Sequence, residues 1–305
     1  MFDLGVVLYL CLGGLGGGLS IFAGIAGLSI PRHLLEKGLL SEYSNLMRSV
    51  CAVAAASLVL GGLLLLADSG NFSALVYLFF SPSLNYLSVG AWAIVVDVVL
   101  CFLLVLFWGA GVTNRNPFVS WALHALCALI GLAVSLYTGL FLASMKAVSL
   151  WSSFWIPALF VLSSASCGAV VFLAAIQASG KAIVFSAYRR LLARVDIVIV
   201  VLESLCAVAL VLSLVLAPVS DSADSAGLAS AFDLVSGTDA WIWWGGFVGL
   251  GLIMTAVFDV VVLRIEDCLP GRIWSTLGTS FCVLMGAFSL RYCIVAAGMH
   301  PALGF

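Results

Sequence analysis

Residues 4–30 read LGVVLYLCLGGLGGGLSIFAGIAGLSI and contain no charged side chain. The hydrocarbon layer of a bilayer is about 30 Å thick, and a helix rising about 1.5 Å per residue crosses it with roughly 20 residues. This stretch is therefore long and apolar enough to cross a membrane once. We do not expect a cleaved signal peptide here, because Asp3 precedes the run, no basic residue does, and the run is longer than a signal's apolar region.

Seven further runs of similar composition follow along the chain. With the first they give eight predicted spans, at about residues 4–30, 48–67, 88–112, 117–145, 154–178, 195–217, 241–263 and 273–297. The runs are continuous and lack the two-residue alternation of barrel strands, which favours helices. Of all residues, 64% are hydrophobic and 9% are charged, against about 25% charged in soluble domains. We expect an all-α integral membrane protein with eight transmembrane helices.

The predicted spans also suggest a division of the chain and an orientation. Residues 1–150 and 151–305 hold four spans each, which predicts two four-helix bundles. Positively charged loops stay in the cytoplasm, and with eight spans most basic residues fall on one side. Lys146 alone falls on the other side, and Arg291 lies within the last span. Both termini are then predicted outside, periplasmic if the host is a bacterium, with the chain in the inner (cytoplasmic) membrane. The basic residues of the predicted inner side are Arg32, Lys37, Arg48, Arg115, Lys181, Arg189, Arg190, Arg194, Arg264 and Arg272.

Composition excludes several classes of function. The net charge of −2 gives no basic surface for nucleic acid. The nine cysteines are scattered singly with no CxxC pair, so we interpret them as packing residues and expect neither an iron–sulfur cluster nor another metal site in this chain. Of the three histidines only His124 lies within a span, and a haem held by two histidines needs a facing pair. We therefore expect no haem.

The first span carries a face of small residues. On a helix, Tyr9 aligns with a set of small residues at the i, i+4, i+7 spacing. Such a face lets another helix, or a flat ring, approach the backbone closely. Tight helix packing is the structural interpretation, and for Tyr9 an interfacial aromatic is the alternative. The small residues of this face are Gly13, Gly16, Ser20, Gly24 and Gly27.

Short motifs elsewhere carry a family resemblance. The chain opens with LYLCLGG at residues 8–14, continues with YTGL at 137–140, SMKA at 144–147 and LW at 150–151, and has a Ser/Gly-rich fifth span at 162–168. A late LRY follows at residues 290–292. These blocks resemble the membrane-subunit family of polysulfide reductase and related molybdenum enzymes, the NrfD/PsrC family. Some members have a polar residue or histidine in the first span where this chain has Gly5 and Tyr9.

The resemblance implies a function. Such subunits anchor an iron–sulfur (ferredoxin-like) protein and a molybdopterin catalytic subunit to the membrane, bind a quinone such as menaquinone near the docking face, and carry no haem. By similarity, the family's quinone-contacting tyrosine corresponds to Tyr137. Tyr9 and Gly13 at comparable depth, and Lys146 on the predicted outer side, complete the predicted quinone site. This subunit alone is expected to have no complete activity and no catalytic residue. A packed tyrosine bonded to a neighbour is the alternative for Tyr137, and snorkelling to the surface is the alternative for Lys146.

Six ionisable residues lie within predicted spans, where such groups usually have a task or a partner. One interpretation connects five of them into a proton route from the cytoplasm towards the quinone. The other pairs Arg291 with a carboxylate and leaves the remaining groups capped or neutral. Seven residues separate Asp196 from Glu203, which places them on one helix face about 10 Å apart. The six residues are Asp97, His124, Asp196, Glu203, Asp259 and Arg291.

A second class of function is a small secondary transporter that uses intramembrane carboxylates for cation coupling. It predicts broken helices near mid-membrane and an inverted repeat. The sequence shows neither, so we favour the quinone-reactive anchor.

Overall fold

The computed structural model describes residues 4–29, 39–69, 86–110, 117–145, 150–216, 222–264 and 269–298. Within these residues every regular element is a helix. The helices are α1 (Leu4–Leu28), α2 (Leu40–Ser69), α3 (Tyr86–Ala110), α4 (Pro117–Ala143), α5 (Trp155–Ala178), α6 (Ser186–Val215), α7 (Ser222–Ser236), a π-helix (Ile242–Met254) that continues into α8 (Thr255–Arg264), and α9 (Leu269–Ala297).

Eight helices in the described part of the chain are long and apolar enough to cross a membrane, and the predicted eight-span all-α fold is confirmed to that extent. Seven of them carry large apolar side chains that are at least half exposed. Lipid explains these outward faces, because water would not tolerate so much contiguous apolar surface. Examples are Phe102 (59% exposed), Leu129 (64%), Leu205 (62%), Ile253 (58%) and Phe281 (61%).

Span boundaries agree with the sequence at most ends, with two exceptions. Helices α2 and α6 begin at Leu40 and Ser186, about two turns before the predicted runs. The hydropathy window misses these turns because they are polar, although their residues still form helix. The extra turns reach past the apolar layer, where Lys181 forms a 3.2 Å ion pair with Glu42 of α2.

Two elements were not predicted. Helix α7, fifteen residues long and too short to cross a membrane, lies in the connection between the sixth and seventh spans and packs Leu234 into the core. The seventh span begins as a π-helix over Ile242–Met254. Within it, Gly251 lies against Gly286 of α9, where a Cβ on either glycine would crowd the other backbone. The two glycines therefore allow this unusual helix to pack closely.

Helices α1 and α5 occupy the centre of the molecule. Helix α1 packs against α2, α4, α5 and α9, and α5 packs against α1, α4, α6 and α9. The two central helices touch at Gly18 and Gly168, where a Cβ on either residue would overlap the opposite backbone. The division at residue 150 into two bundles stays a prediction, since the two central helices pack directly on each other.

Spans alternate in direction, so two ends of the bundle can be named. The Leu4 end contains the start of α1 and the end of α4, and the Leu28 end contains the end of α1 and the start of α4. The contacts show that α1 and α4 are antiparallel, because Gly13 lies beside Thr138 and Gly27 lies beside His124. The sequence predicts that the Leu4 end faces outside, and the placement of the termini stays a prediction.

Candidate functional site

Tyr137 lies on α4 near the Leu4 end, as the sequence predicted. Its side chain is 7% exposed, and its hydroxyl is buried without a hydrogen-bond partner among the described residues. The ring lies against Gly90 of α3, where a Cβ would overlap the ring atoms, and 6.3 Å from the ring of Phe141. The ring is thus held firmly, while the polar atom is left unsatisfied. The bonded-tyrosine alternative finds no partner in the described part of the chain.

The glycine face of α1 is tight along most of its length and loose at one position. Gly17 lies against Gly131 of α4, and a Cβ there would come within 2.8 Å of the Gly131 carbonyl oxygen. Gly13, one turn nearer the Leu4 end, differs. A Cβ on Gly13 would meet only Thr138 Cγ2, at an ordinary 3.7 Å. The α1–α4 interface is therefore closed at Gly17, whereas at Gly13 it would admit a methyl group against Thr138, the residue after Tyr137.

Tyr9 is an interior residue. It is 5% exposed and belongs to a hydrophobic cluster at the Leu4 end that includes Leu142 and Trp151. Trp151 donates a 2.8 Å hydrogen bond to the carbonyl of Ile294 and so fixes that cluster against α9. The burial of Tyr9 favours an interior role over the interfacial alternative. Lys146 lies outside the described residues.

Both ring nitrogens of His124 are occupied. The indole Nε1–H of Trp108 donates to His124 Nε2 at 3.2 Å, so that nitrogen must be an acceptor. The remaining ring proton then sits on Nδ1, which lies 2.7 Å from the carbonyl oxygen of Ser120. His124 is fully buried, and its ring contacts the backbone of α1 at Gly27. Protonation of His124 Nε2 would place its N–H donor against the indole N–H donor of Trp108. These contacts therefore favour a neutral imidazole with a structural role.

Arg291 of α9 is fully buried. Nη1 donates to the hydroxyl of Ser163 at 3.1 Å and to the carbonyl of Ala287 at 3.1 Å, while Nη2 donates to the hydroxyl of Ser164 at 3.0 Å. Its Cζ lies 5.2 Å from the centroid of the Phe160 ring. The guanidinium is therefore held by α5 on one side and by its own helix on the other.

Arg291 has no carboxylate partner within 4.0 Å among the described residues. The structural interpretation from the sequence paired it with an acid, whereas the observed partners are serine hydroxyls. Glu203 of α6 lies within electrostatic range of the guanidinium but forms no direct bond with it. A Cβ on Gly14 would overlap the Arg291 side chain, so the guanidinium rests directly on α1, next to Gly13.

Two further acids lie side by side nearer the Leu28 end. Asp196 of α6 is 1% exposed and accepts a 2.7 Å hydrogen bond from the hydroxyl of Ser166. The carboxyl of Asp259, from α8, is fully buried beside that of Asp196. Both oxygens of Asp259 and Oδ2 of Asp196 have no hydrogen-bond partner among the described residues. Two buried carboxyl groups that lie near each other repel when both are charged. Glu203 lies two turns along α6 from Asp196, within its electrostatic range.

These groups form what we call the acid–arginine column, which runs between α5, α6, α8 and α9. The sequence had singled out its four charged members but not the serines that hold them. The available signal was a run of hydroxyls in an otherwise apolar fifth span, visible as residues 163, 164 and 166. The column comprises Asp259, Asp196, Glu203, Arg291, Ser163, Ser164 and Ser166.

Asp97 lies apart from the column, on the opposite side of α1. It is fully buried at mid-length of α3, and neither carboxylate oxygen has a hydrogen-bond partner among the described residues. Its neighbours are Ser20 of α1, Cys101 of α3 and Cys127 of α4. The predicted single route through all five proton-transfer candidates is therefore divided by α1 into two groups.

Comparison with protein families matches residues 1–301 to the family described as polysulphide reductase, NrfD. The chain belongs to this family. The match covers nearly the whole sequence, as the resemblance of the short motifs predicted. Proteins of the NrfD family are membrane subunits that generally partner with oxidoreductase subunits. Comparison with individual curated proteins returns no match.

Proposed function

We propose that this chain is the quinone-reactive membrane anchor of an oxidoreductase complex. It exchanges electrons between the membrane quinone pool, such as menaquinone, and an iron–sulfur partner subunit, with a molybdopterin subunit as the catalytic end of the complex. Family membership supports the proposal, and so does the eight-helix membrane fold. Membership of a family of oxidoreductase subunits also favours this function over the alternative of a secondary transporter.

The unsatisfied hydroxyl of Tyr137 is the observation that carries the proposal. A buried hydroxyl without a partner costs about 1–3 kcal/mol, which a ligand oxygen would recover. A quinone presents such an oxygen on a flat, apolar ring, and Gly13, the least crowded glycine of the small-residue face of α1, lies against Thr138, the residue after this tyrosine. The residues present therefore fit a quinone head group. When bound, the quinone supplies two-electron, two-proton redox chemistry.

Each residue of the proposed site has a separate task. Tyr137 donates a hydrogen bond to a quinone oxygen, and Gly90 positions its ring by direct contact. Gly13 leaves space for the head group, and Tyr9 contributes to the buried apolar wall at the Leu4 end. Lys146, which follows α4, stays a predicted member of the site or of the docking surface for the partner subunit.

The acid–arginine column supports a proton route to this site. Quinone reduction takes up protons, and quinol oxidation releases them. The Asp259–Asp196 pair lies nearer the Leu28 end, Glu203 follows, and Arg291 ends the column against Gly14. The column thus ends on α1 at Gly14, the residue that follows Gly13 in the sequence. We propose that protons move along it, whereas His124 keeps a structural role and Asp97 lies off the route.

Replacement of Tyr137 by phenylalanine tests the quinone site. The Y137F variant removes only the hydroxyl and should weaken the binding of a quinone analogue about tenfold, the equivalent of one hydrogen bond. Quinol-linked turnover of the intact complex should fall by at least that factor. Analogue binding is measured by titration in detergent, and turnover with a water-soluble electron acceptor or donor.

Tyr188 provides the matched control. It lies on α6 at the Leu28 end, is only partly buried and stacks on Phe172, so Y188F removes a hydroxyl away from the site. Its analogue affinity and turnover should equal those of the unmodified complex. Unchanged affinity in Y137F would contradict the quinone site, and isolation of the chain without any iron–sulfur partner would contradict the anchor function.

A further inference from the structure

Three helices bring sulfur and oxygen ligands to one point in the middle of the bundle. The carboxylate of Asp97 and the thiols of Cys101 and Cys127 all lie within 4.8 Å of one another. Ser20 joins them from α1, with its hydroxyl oxygen 3.3 Å from Cys101 Sγ. We call these four residues the thiol–carboxyl cluster.

The cluster is preorganised by helix geometry. Asp97 and Cys101 are four residues apart on α3 and therefore project from one helix face. Cys127 comes from α4, and its thiol also lies 3.6 Å from the backbone carbonyl of Ser20. All four residues are buried, with Asp97, Cys101, Cys127 and Ser20 each 0% exposed. Four ligand atoms from three packed helices thus meet without any surface loop.

Asp97 is the feature that packing alone does not explain. Its carboxylate is fully buried at mid-span, and both oxygens lack a hydrogen-bond partner in the described part of the chain. Within the same residues no lysine, arginine or histidine pairs with it. An isolated carboxylate costs several kcal/mol in such surroundings. A cation held between the carboxylate and the adjacent thiols would satisfy both oxygens.

The donor set selects the type of cation. Thiolate sulfur with carboxylate oxygen in a four-ligand arrangement suits Zn²⁺ or a similar borderline-soft divalent ion, whereas Mg²⁺ and Ca²⁺ require mostly oxygen. Sulfur and oxygen atoms around a tetrahedral Zn²⁺ are separated by about 3.5–4 Å, in keeping with the observed spacing. A thiol that binds as thiolate releases its proton. Two thiolates and one carboxylate carry three negative charges, of which a bound divalent ion would neutralise two.

The geometry points to a buried divalent metal site formed by Asp97, Cys101 and Cys127, with Ser20 as the fourth ligand. This site is separate from the proposed quinone site, because Cys127 and Tyr137 are ten residues, about 15 Å, apart along α4. It would join α1, α3 and α4 in the middle of the bundle. The proposal departs from the expectation that the cysteines only pack and that the chain holds no metal.

Metal analysis of the purified complex, prepared without chelators, tests the site. Iron and molybdenum of the partner subunits do not interfere, because zinc is counted separately. We expect about one zinc per chain, and at least about tenfold less in a C101S/C127S double variant and in D97N. The full chain purified without its partners should also take up Co²⁺ and show a thiolate-to-cobalt charge-transfer band.

Cys282 is the matched control, since it is a buried cysteine on α9 away from the cluster. The C282A variant should keep its zinc and its cobalt band. Absence of zinc from the wild-type complex, together with absence of a cobalt band, would overturn the proposal without relying on any variant. An infrared carbonyl band of a protonated carboxylic acid that is lost in D97N would likewise overturn it, because a metal-bound carboxylate has no such band.

Discussion

The buried ionisable residues on the two sides of α1 have different surroundings. In the acid–arginine column, Arg291 donates hydrogen bonds to two serines of α5, and Asp196 accepts one from Ser166. Asp259 lies near Asp196 but has no hydrogen-bond partner among the described residues. In the thiol–carboxyl cluster, Asp97 has no such partner among the described residues and faces two thiols instead. A row of acids and hydroxyls along several helices suits the proposed proton movement, whereas an enclosed carboxyl between thiols suits a fixed ligand. Similar residue types therefore have different proposed tasks on the two sides of α1, proton movement on one and metal binding on the other.

The α1–α5 contact separates the two regions, and we expect its disruption to have the largest effect. G18A would place a methyl group into the backbone of α5 at Ser164 and Gly168. The helices must then move apart, which should cost about 2–3 kcal/mol of stability and displace Ser164 from Arg291. Thermal unfolding in detergent measures the loss.

Gly62 gives the control, because a Cβ there meets nothing within 4 Å. G62A should be neutral or should stabilise the protein by up to about 1 kcal/mol, since alanine favours helix more than glycine does. Equal melting temperatures for G18A and G62A would show that α1 and α5 are not in backbone contact.

Replacing one acid on each side of α1 by its amide tests the difference between the two regions, and the expected effect is of intermediate size. E203Q interrupts the column between Asp196 and Arg291 and should lower quinol-linked turnover about tenfold or more, since it removes a proton-transferring group. D97N should leave the proton stoichiometry and the pH profile unchanged, because Asp97 lies off the proposed route. Proton uptake per quinone and the pH profile of the rate are recorded for both variants.

E42Q is a suitable control, because Glu42 is partly exposed and forms a surface ion pair with Lys181 that contributes little. Its rate should match that of the unmodified complex. Normal rate and normal proton stoichiometry in E203Q would leave Glu203 with a structural role only.

The smallest effect is expected at His124. H124F leaves the Trp108 indole N–H without its acceptor and should cost about 1–2 kcal/mol of stability. Its turnover and pH profile should not change, because the imidazole is neutral and both nitrogens are occupied. A shifted pH profile in H124F would return His124 to the proton route.

Within the candidate site, the sequence predicted the identity of several residues but not their contacts. It identified Tyr137 through the YTGL motif and marked each buried acid by its position within an apolar run. It did not predict that Tyr137 would rest on Gly90, or that Gly13 would be looser than Gly17. Those features depend on how each helix is rotated about its axis. One residue changes the direction of a side chain by about 100°, and hydropathy carries no information about that angle in a helix that is apolar on all sides.

The sequence by itself determined the number of spans, their approximate ends and the family. Lipid makes this possible, because a spanning segment must be apolar and must satisfy its own backbone hydrogen bonds, so its composition is a local property. Only the tertiary structure decided which buried groups meet. Arg291 reaches Ser163 and Ser164 across more than 120 positions, and Asp97 and Cys127 come together from different helices. Such contacts follow from the packing of glycine-rich helix faces, and that packing is a property of the whole bundle.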